Sequence, residues 1–237
     1  MTSSVWKMST GAANLSLFLL AALPALGQSA QELLVHADRL RNPWPSYQVD
    51  VVLQEGRTRQ RWRVVTRDNG DARVEGLSDK EAGRTVLLLG DQMWLLLPGT
   101  RRPVKVTPQQ RLLGPASGGD IARFRFAQDY DIIQEAQDTL DTVPCRRLEL
   151  KARRNALSFR TATLWISPPG IPILAEFHLP SGKLAKRARF RTQAGHPMAA
   201  MDIEDPSGKK TSLVFENWKP AHPETSRFQL PEDPSRP

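Results

Sequence analysis

Arg59-Gln60-Arg61-Trp62-Arg63-Val64-Val65-Thr66 is the stretch that decides the fold class. In an extended chain successive side chains point to opposite faces, so Arg61, Arg63 and Val65 share one face and Trp62, Val64 and Thr66 the other. Charge on one side and apolar bulk on the other is the pattern of a half-buried strand. Asp68-Asn69-Gly70-Asp71 follows, a tight-turn sequence, and residues 72–77 read as the returning strand. Residues 47–54, just upstream, have the same character, so the three segments predict an antiparallel meander.

The pattern continues outward. Residues 84–89 and 92–97, joined by Gly90-Asp91, are apolar enough to be expected in the centre of a sheet, buried on both faces. Further strands are expected at 104–107, 131–137, 145–152, 159–166, 173–179, 185–192, 198–203 and 211–218, a dozen or so in all. Residues 29–41 instead show helical spacing, with Ser29 as N-cap, Leu33, Leu34, Ala37 and Leu40 on one face, and Asn42-Pro43-Trp44-Pro45 as the stop. Periodicity vanishes between Pro108 and Asp129, where short helical pieces interrupt the sheet as a lid would. So many antiparallel strands with so few helices predict a strongly curved sheet or a partly closed barrel, whose inside can serve as a pocket.

The N-terminus carries an export signal. Lys7 precedes an uncharged apolar run over residues 15–26, about 12 residues long against the ~20 that a membrane-spanning helix needs. Residues 1–27 are therefore expected to be a signal peptide, cleaved after Gly27 or slightly later, after Ser29 or Ala30. Residues 28–230 are expected to form one domain and 231–237 a disordered, Pro-rich tail. The one cysteine, Cys145, excludes an internal disulfide and reads as a buried thiol. Formal net charge is +8, or +7 once Lys7 leaves with the leader. That charge favours anionic partners, and export makes nucleic acid a poor one.

With those segments placed, residues 87–120, which include Leu87-Leu88-Leu89-Gly90-Asp91-Gln92-Met93-Trp94-Leu95-Leu96-Leu97-Pro98-Gly99 and run through Arg101-Arg102 to Asp120, resemble the signature of the outer-membrane lipoprotein-sorting protein family, the relatives of LolA. The likeness extends through Asp129-Tyr130, Val143-Pro144-Cys145, Leu148-Glu149-Leu150, Ala175-Glu176-Phe177, Ser181-Gly182-Lys183-Leu184, Lys210-Thr211 and Phe228. The chain departs from the pattern at Leu96 and Arg146, where relatives often carry an aromatic residue. The resemblance implies a mainly β fold with a few helices, a half-closed antiparallel β-barrel of about eleven strands with a helical lid over an apolar cavity. It also implies a periplasmic carrier or chaperone, in a Gram-negative cell, that passes lipid, lipoprotein acyl chains or another amphiphile toward the outer membrane. The implied partners are an inner-membrane exporter, an ABC permease or one of the resistance-nodulation (RND) type, and an outer-membrane acceptor. The protein would be a monomer with only peripheral membrane contact. An RseB-like amphiphile sensor or regulatory module is the alternative.

A carrier needs an apolar lining, because each buried methylene contributes ~0.8 kcal/mol. The expected lining is Trp62, Val64, Leu88, Trp94, Leu96, Leu148, Leu150, Trp165, Phe177 and Phe190, with Leu112, Leu113, Phe124 and Phe126 as lid. Ordinary core packing is the competing reading of each. Arg101 and Arg102 are the expected basic rim. The other arginine clusters, such as Arg57, Arg59, Arg61 and Arg63, read either as headgroup contacts or as a solvated strand face. His36, His178, His196 and His222 lie too far apart in sequence for a metal or triad motif, and Gly208-Lys209-Lys210-Thr211 lacks the order of a phosphate loop. No enzymatic motif, metal or cofactor is expected.

Overall fold

A computed structural model describes residues 28–100, 102–107, 125–155, 157–168, 170–192 and 197–231. The expected leader, the tail beyond Pro231 and most of the expected lid lie outside these residues.

Helix α1 (Ala30–Arg41) starts where its cap requires. The Ser29 hydroxyl accepts from the Glu32 amide at 3.2 Å, and the Glu32 carboxylate accepts from the Ser29 amide at 2.7 Å. This reciprocal box satisfies two amides that a helix start otherwise leaves bare. Leu33, Leu34 and Ala37 form the buried stripe. Gly170, at φ +107°, lies so close that a Cβ there would sit 2.8 Å from the His36 Cβ, so the helix docks on a glycine turn.

Thirteen strands follow: β1 (Tyr47–Glu55), β2 (Thr58–Thr66), β3 (Ala72–Gly76), β4 (Thr85–Leu89), β5 (Gln92–Leu96), β6 (Val104–Val106), then helix α2 (Phe126–Asp129), β7 (Tyr130–Leu140), β8 (Val143–Ala152), β9 (Thr161–Ser167), β10 (Ile171–His178), β11 (Leu184–Arg191), β12 (Ala200–Glu204) and β13 (Lys210–Pro220). A 3-10 turn, η1 (Thr225–Phe228), closes the described chain. All thirteen pair antiparallel in one sheet, ordered β6-β5-β4-β3-β2-β1-β13-β12-β11-β10-β9-β8-β7. Two meanders thus meet where the first strand pairs with the last, as in Val51 opposite Phe215 and Leu53 opposite Leu213.

Three expectations need correcting. Among the described residues the strands number thirteen, not about eleven, because nearly every short apolar segment finds an antiparallel partner. The sheet is also not closed into a barrel: β6 and β7 each pair on one side only. In addition, β4 and β5 are not central but stand third and second from the β6 edge. Leu87 and Leu88 are nonetheless both buried, at 0% and 3% exposure. The chain end is held on the neighbouring strand, β3. Arg73 donates to the Arg227 carbonyl at 2.9 Å, Arg227 pairs with Glu75 at 3.0 Å, and Phe228 lies buried beneath the Arg67 guanidinium, 5.5 Å from ring centroid to charge. This knot straps η1 onto β3 on the face shared with Leu87.

The sheet's two faces differ as the alternation predicts. The inner face, under α1 and α2, carries one continuous core from Val49, Val51 and Leu53 through Leu213, Met201 and Ala188 to Leu164 and Leu148. The outer face carries ion pairs between strands: Arg63 with Asp50, Arg61 with Glu216, Arg187 with Glu176, and Arg191 with Asp202. Most of the arginine clusters are therefore ladders of charge along the outer face. Each exposed pair stabilises by no more than about 1 kcal/mol.

Candidate functional site

Register places seven of the ten expected lining residues on the inner face. Leu148 stands opposite Leu164, Leu164 opposite Ala175 and Ala175 opposite Ala188, a row that crosses four strands. One step along, Leu150 faces Ala162 and Ala162 faces Phe177. Phe190 pairs with Met201. On the other meander Trp62 stands opposite Val51, and Val64 between Val49 and Val74. Leu148, Leu150 and Phe177 are wholly buried, Val64 and Phe190 nearly so, and Trp62 packs half-buried against the same cluster. Leu88 shares this face but belongs to a smaller cluster with Ala72 and Met93, to which Val74 is the bridge.

The other three point away. Trp94 is opposite Leu87 and Leu96 opposite Thr85, which puts both on the outer face, where the Lys105 ammonium sits 5.4 Å from the Trp94 ring centre. Trp165 is opposite Arg147 and Leu174, also outward, and its indole N–H donates to Asp138 at 2.9 Å. It floors an open groove of about 750 Å³ with Leu140 and Leu174. The tip of the β7–β8 hairpin forms one side of that groove, tied down by Arg189 to Asp141 at 2.7 Å. Glu176 with Arg187 and Glu204 with Lys210 line the remainder as compensated pairs.

Phe126 caps the inner face. Its ring lies parallel to Phe177 at 6.3 Å and edge-on to Phe190 at 6.5 Å, and it touches Tyr130 at 6.3 Å. Alanines at 162, 175 and 188 leave the space that these rings fill. The Asp38 carboxylate on α1 accepts from the Phe126 and Ala127 amides, both at 2.8 Å, and so fastens α2 to α1. Burial pushes the Asp38 carboxyl up to about 6, outweighing the two amides and Arg41, which pull it down. Arg41 is itself 3% exposed, with its guanidinium 5.6 Å from the Phe126 ring centre and 5.9 Å from that of Phe190. Burial lowers it to about 10, which leaves it charged at neutral pH.

Beside Arg41, a void of about 10 Å³ lies between Val49, Val51, Val64, Met198, Phe215 and Trp218, room for one water at most. Over Ala162, Ala175 and Ala188 the inner face is covered by Phe126. Of the expected lid, Phe126 is the part described. Leu112, Leu113, Phe124 and the rim residue Arg101 lie outside the described residues, and Arg102 is exposed on the β5–β6 connection. Sequence reasoning missed Arg41 and Asp38. Arg41 stood in plain view, since residues 34, 37 and 41 share one helical stripe, and a charge on an apolar stripe is the signal. Asp38 gave no such sign, because its partners come from 88 and 89 residues away.

Comparison with known proteins agrees with this architecture. A family model described only as an uncharacterized protein matches residues 76–229. Among solved structures, a LolA superfamily protein from Nitrosomonas europaea superposes with a TM-score of 0.73 at 27% identity, over 86% of this chain and 98% of that one. A DUF1329 family protein from Desulfovibrio piger gives 0.67 at 15% identity, over 84% and 95%. A domain assigned to outer membrane lipoprotein sorting in Vibrio parahaemolyticus gives 0.63 at 15%, over 84% and 96%. The last two are too distant to speak for more than the fold. No curated protein matches the chain.

Proposed function

We propose, from the premise that this chain belongs to the LolA-like family, that it is an exported periplasmic carrier whose inner face shields the hydrocarbon part of a lipid, a lipidated protein or a similar amphiphile between two membranes. The observation that carries the reading is the apolar inner wall itself. Trp62, Val64, Leu88, Leu148, Leu150, Phe177 and Phe190 come from five different strands and share that one face. A sixteen-carbon chain laid along such a wall gains roughly 10 kcal/mol from removal of its methylenes from water. That is enough to hold a lipid without any polar contact.

Where Phe126 covers the wall, an acyl chain enters as the cap leaves. Phe126 occupies the space over Ala162, Ala175 and Ala188, so α2 has to swing off α1 for a hydrocarbon tail to take its place. Cargo and cap then compete for one surface. Among the described residues no helix is long and apolar enough to cross a membrane. Donor and acceptor, an inner-membrane exporter and an outer-membrane receptor in this reading, come to the carrier.

Native mass spectrometry of the protein recovered from its own cell envelope tests this. A carrier retains a lipid or an acylated peptide, and Trp62→Asp, which places a charge on the half-buried edge of the wall, abolishes uptake of a fluorescent fatty acid while the circular dichroism spectrum is kept. Uptake unchanged in Trp62→Asp removes the wall from the function.

A further inference from the structure

The β5–β6 hairpin, at the edge of the sheet, carries apolar and basic side chains that the cargo-binding reading leaves without a task. Trp94 and Leu96 face outward there and remain half-buried. Lys105 lies over the Trp94 indole at 5.4 Å. Val104, opposite Leu95 and so on the other side of β6 from Lys105, is 51% exposed at the sheet edge. The connection between the strands is exposed at Pro98, Gly99, Thr100 and Arg102, and turns on the Thr100 amide donating to the Leu97 carbonyl at 3.2 Å. α1 and α2 pack against β7 and β10, so this hairpin stands at the end of the sheet away from them.

We propose that the β5–β6 hairpin is the surface by which this protein touches an anionic lipid bilayer, with Trp94, Val104 and Lys105 at the contact. Three observations select that partner. Tryptophan beside lysine on one side of the edge strand, with an exposed valine on its other side, suits an edge dipped into the membrane interface, where an amphipathic ring and a long cationic chain both find their preferred surroundings. The chain's +8 net charge at a pI near 10.1 draws it to anionic lipid. Edge strand β6 is only 3 residues long, too short to template an added strand from a peptide partner, so recognition there works through side chains. The outer faces of β9 to β13 lack this combination, since their charges compensate one another in pairs.

The test is sedimentation of the exported protein with vesicles of phosphatidylcholine alone or with one part in four replaced by phosphatidylglycerol. The protein is expected to pellet with the anionic vesicles, not with the neutral ones, and to be released by salt. The double variant V104S/K105E is expected to lower the partition coefficient at least about tenfold. Arg59→Glu makes the same change of charge on an exposed part of β2 and is expected to keep most of the binding. Equal loss in Arg59→Glu overturns the proposal, as do equal binding to both vesicles and wild-type binding by the double variant. A concentration-dependent dimer that the double variant abolishes overturns it too, because the patch would then hold a second copy. Fatty-acid uptake, measured in parallel, is expected to be unchanged by V104S/K105E. Failure of uptake in the unaltered protein counts against the carrier reading and leaves the vesicle result standing.

Discussion

Replacing Asp38 with Asn should flatten part of the protein's pH-dependent stability, and the sign is opposite to that of an acid stabilised by an ion pair. The Asp38 carboxyl titrates near 6 in the folded chain, against 3.8 for an ordinary aspartate. Its folded value is raised, so the folded state holds a proton that the unfolded state has already released. Stability from this group is therefore present at low pH and is lost as pH rises through about 6. Linkage gives a contribution of about 1.4 kcal/mol at pH 5, falling to nearly zero at pH 7.5. In Asp38→Asn the amide oxygen still accepts from one of the Phe126 and Ala127 amides, but no proton is exchanged. Urea unfolding at pH 5 and pH 7.5 measures both proteins. The wild type should lose about 1.4 kcal/mol more than the variant between the two pH values, because every other titrating group cancels in that difference. Parallel pH profiles would refute the burial of Asp38 as a charge held against its preference. A steeper loss in the variant would reverse the sign.

Other outcomes follow from the same geometry. Phe126→Ala removes the ring that stacks on Phe177 and meets Phe190 edge-on, and should cost about 3–5 kcal/mol in chemical denaturation, with amide exchange rising first in α1 and α2. Ser29→Ala breaks the capping box and should lower stability by about 1 kcal/mol, while Glu32→Gln should cost less because it keeps an acceptor. Glu75 is held below the usual carboxylate range against the penalty of its burial, by hydrogen bonds and charge from Arg73 and Arg227. That contribution is present above the ordinary carboxylate pKa and fades as pH falls below about 4. Glu75→Gln should therefore loosen the chain end at neutral pH, visible as faster proteolysis after Arg227, and should make little difference in acid.

Much of the sheet was legible because its information is local. Alternation along residues 59–66, the Asn69-Gly70 turn and the apolar runs each specify a strand without reference to anything distant, and the strand positions came out within a few residues. Strand order was less accessible. The pair at 84–89 and 92–97 looks central because both its faces are apolar, yet it stands near the β6 edge, beside β3, onto which η1 is strapped from more than 120 residues further on. The same limit governs the wall. Alternation fixes which residues share a face within a strand, but Trp94, Leu96 and Trp165 needed the register across strands to show that their face is the outer one. The tie from Asp38 to the α2 amides joins segments that no short-range pattern connects. Arg41, by contrast, lay on the apolar stripe of α1 and was readable from spacing alone.

The central claim is that hydrocarbon lies on the inner face beneath α2. Isotope-filtered NMR with unlabelled palmitate and methyl-labelled protein measures this directly. Contacts from the acyl chain to the methyl groups of Val64, Leu148 and Leu150, with Phe126 resonances displaced as the cap moves, are the predicted result. Contacts confined to Leu96 and Leu174 on the outer face, or none at all, would contradict it.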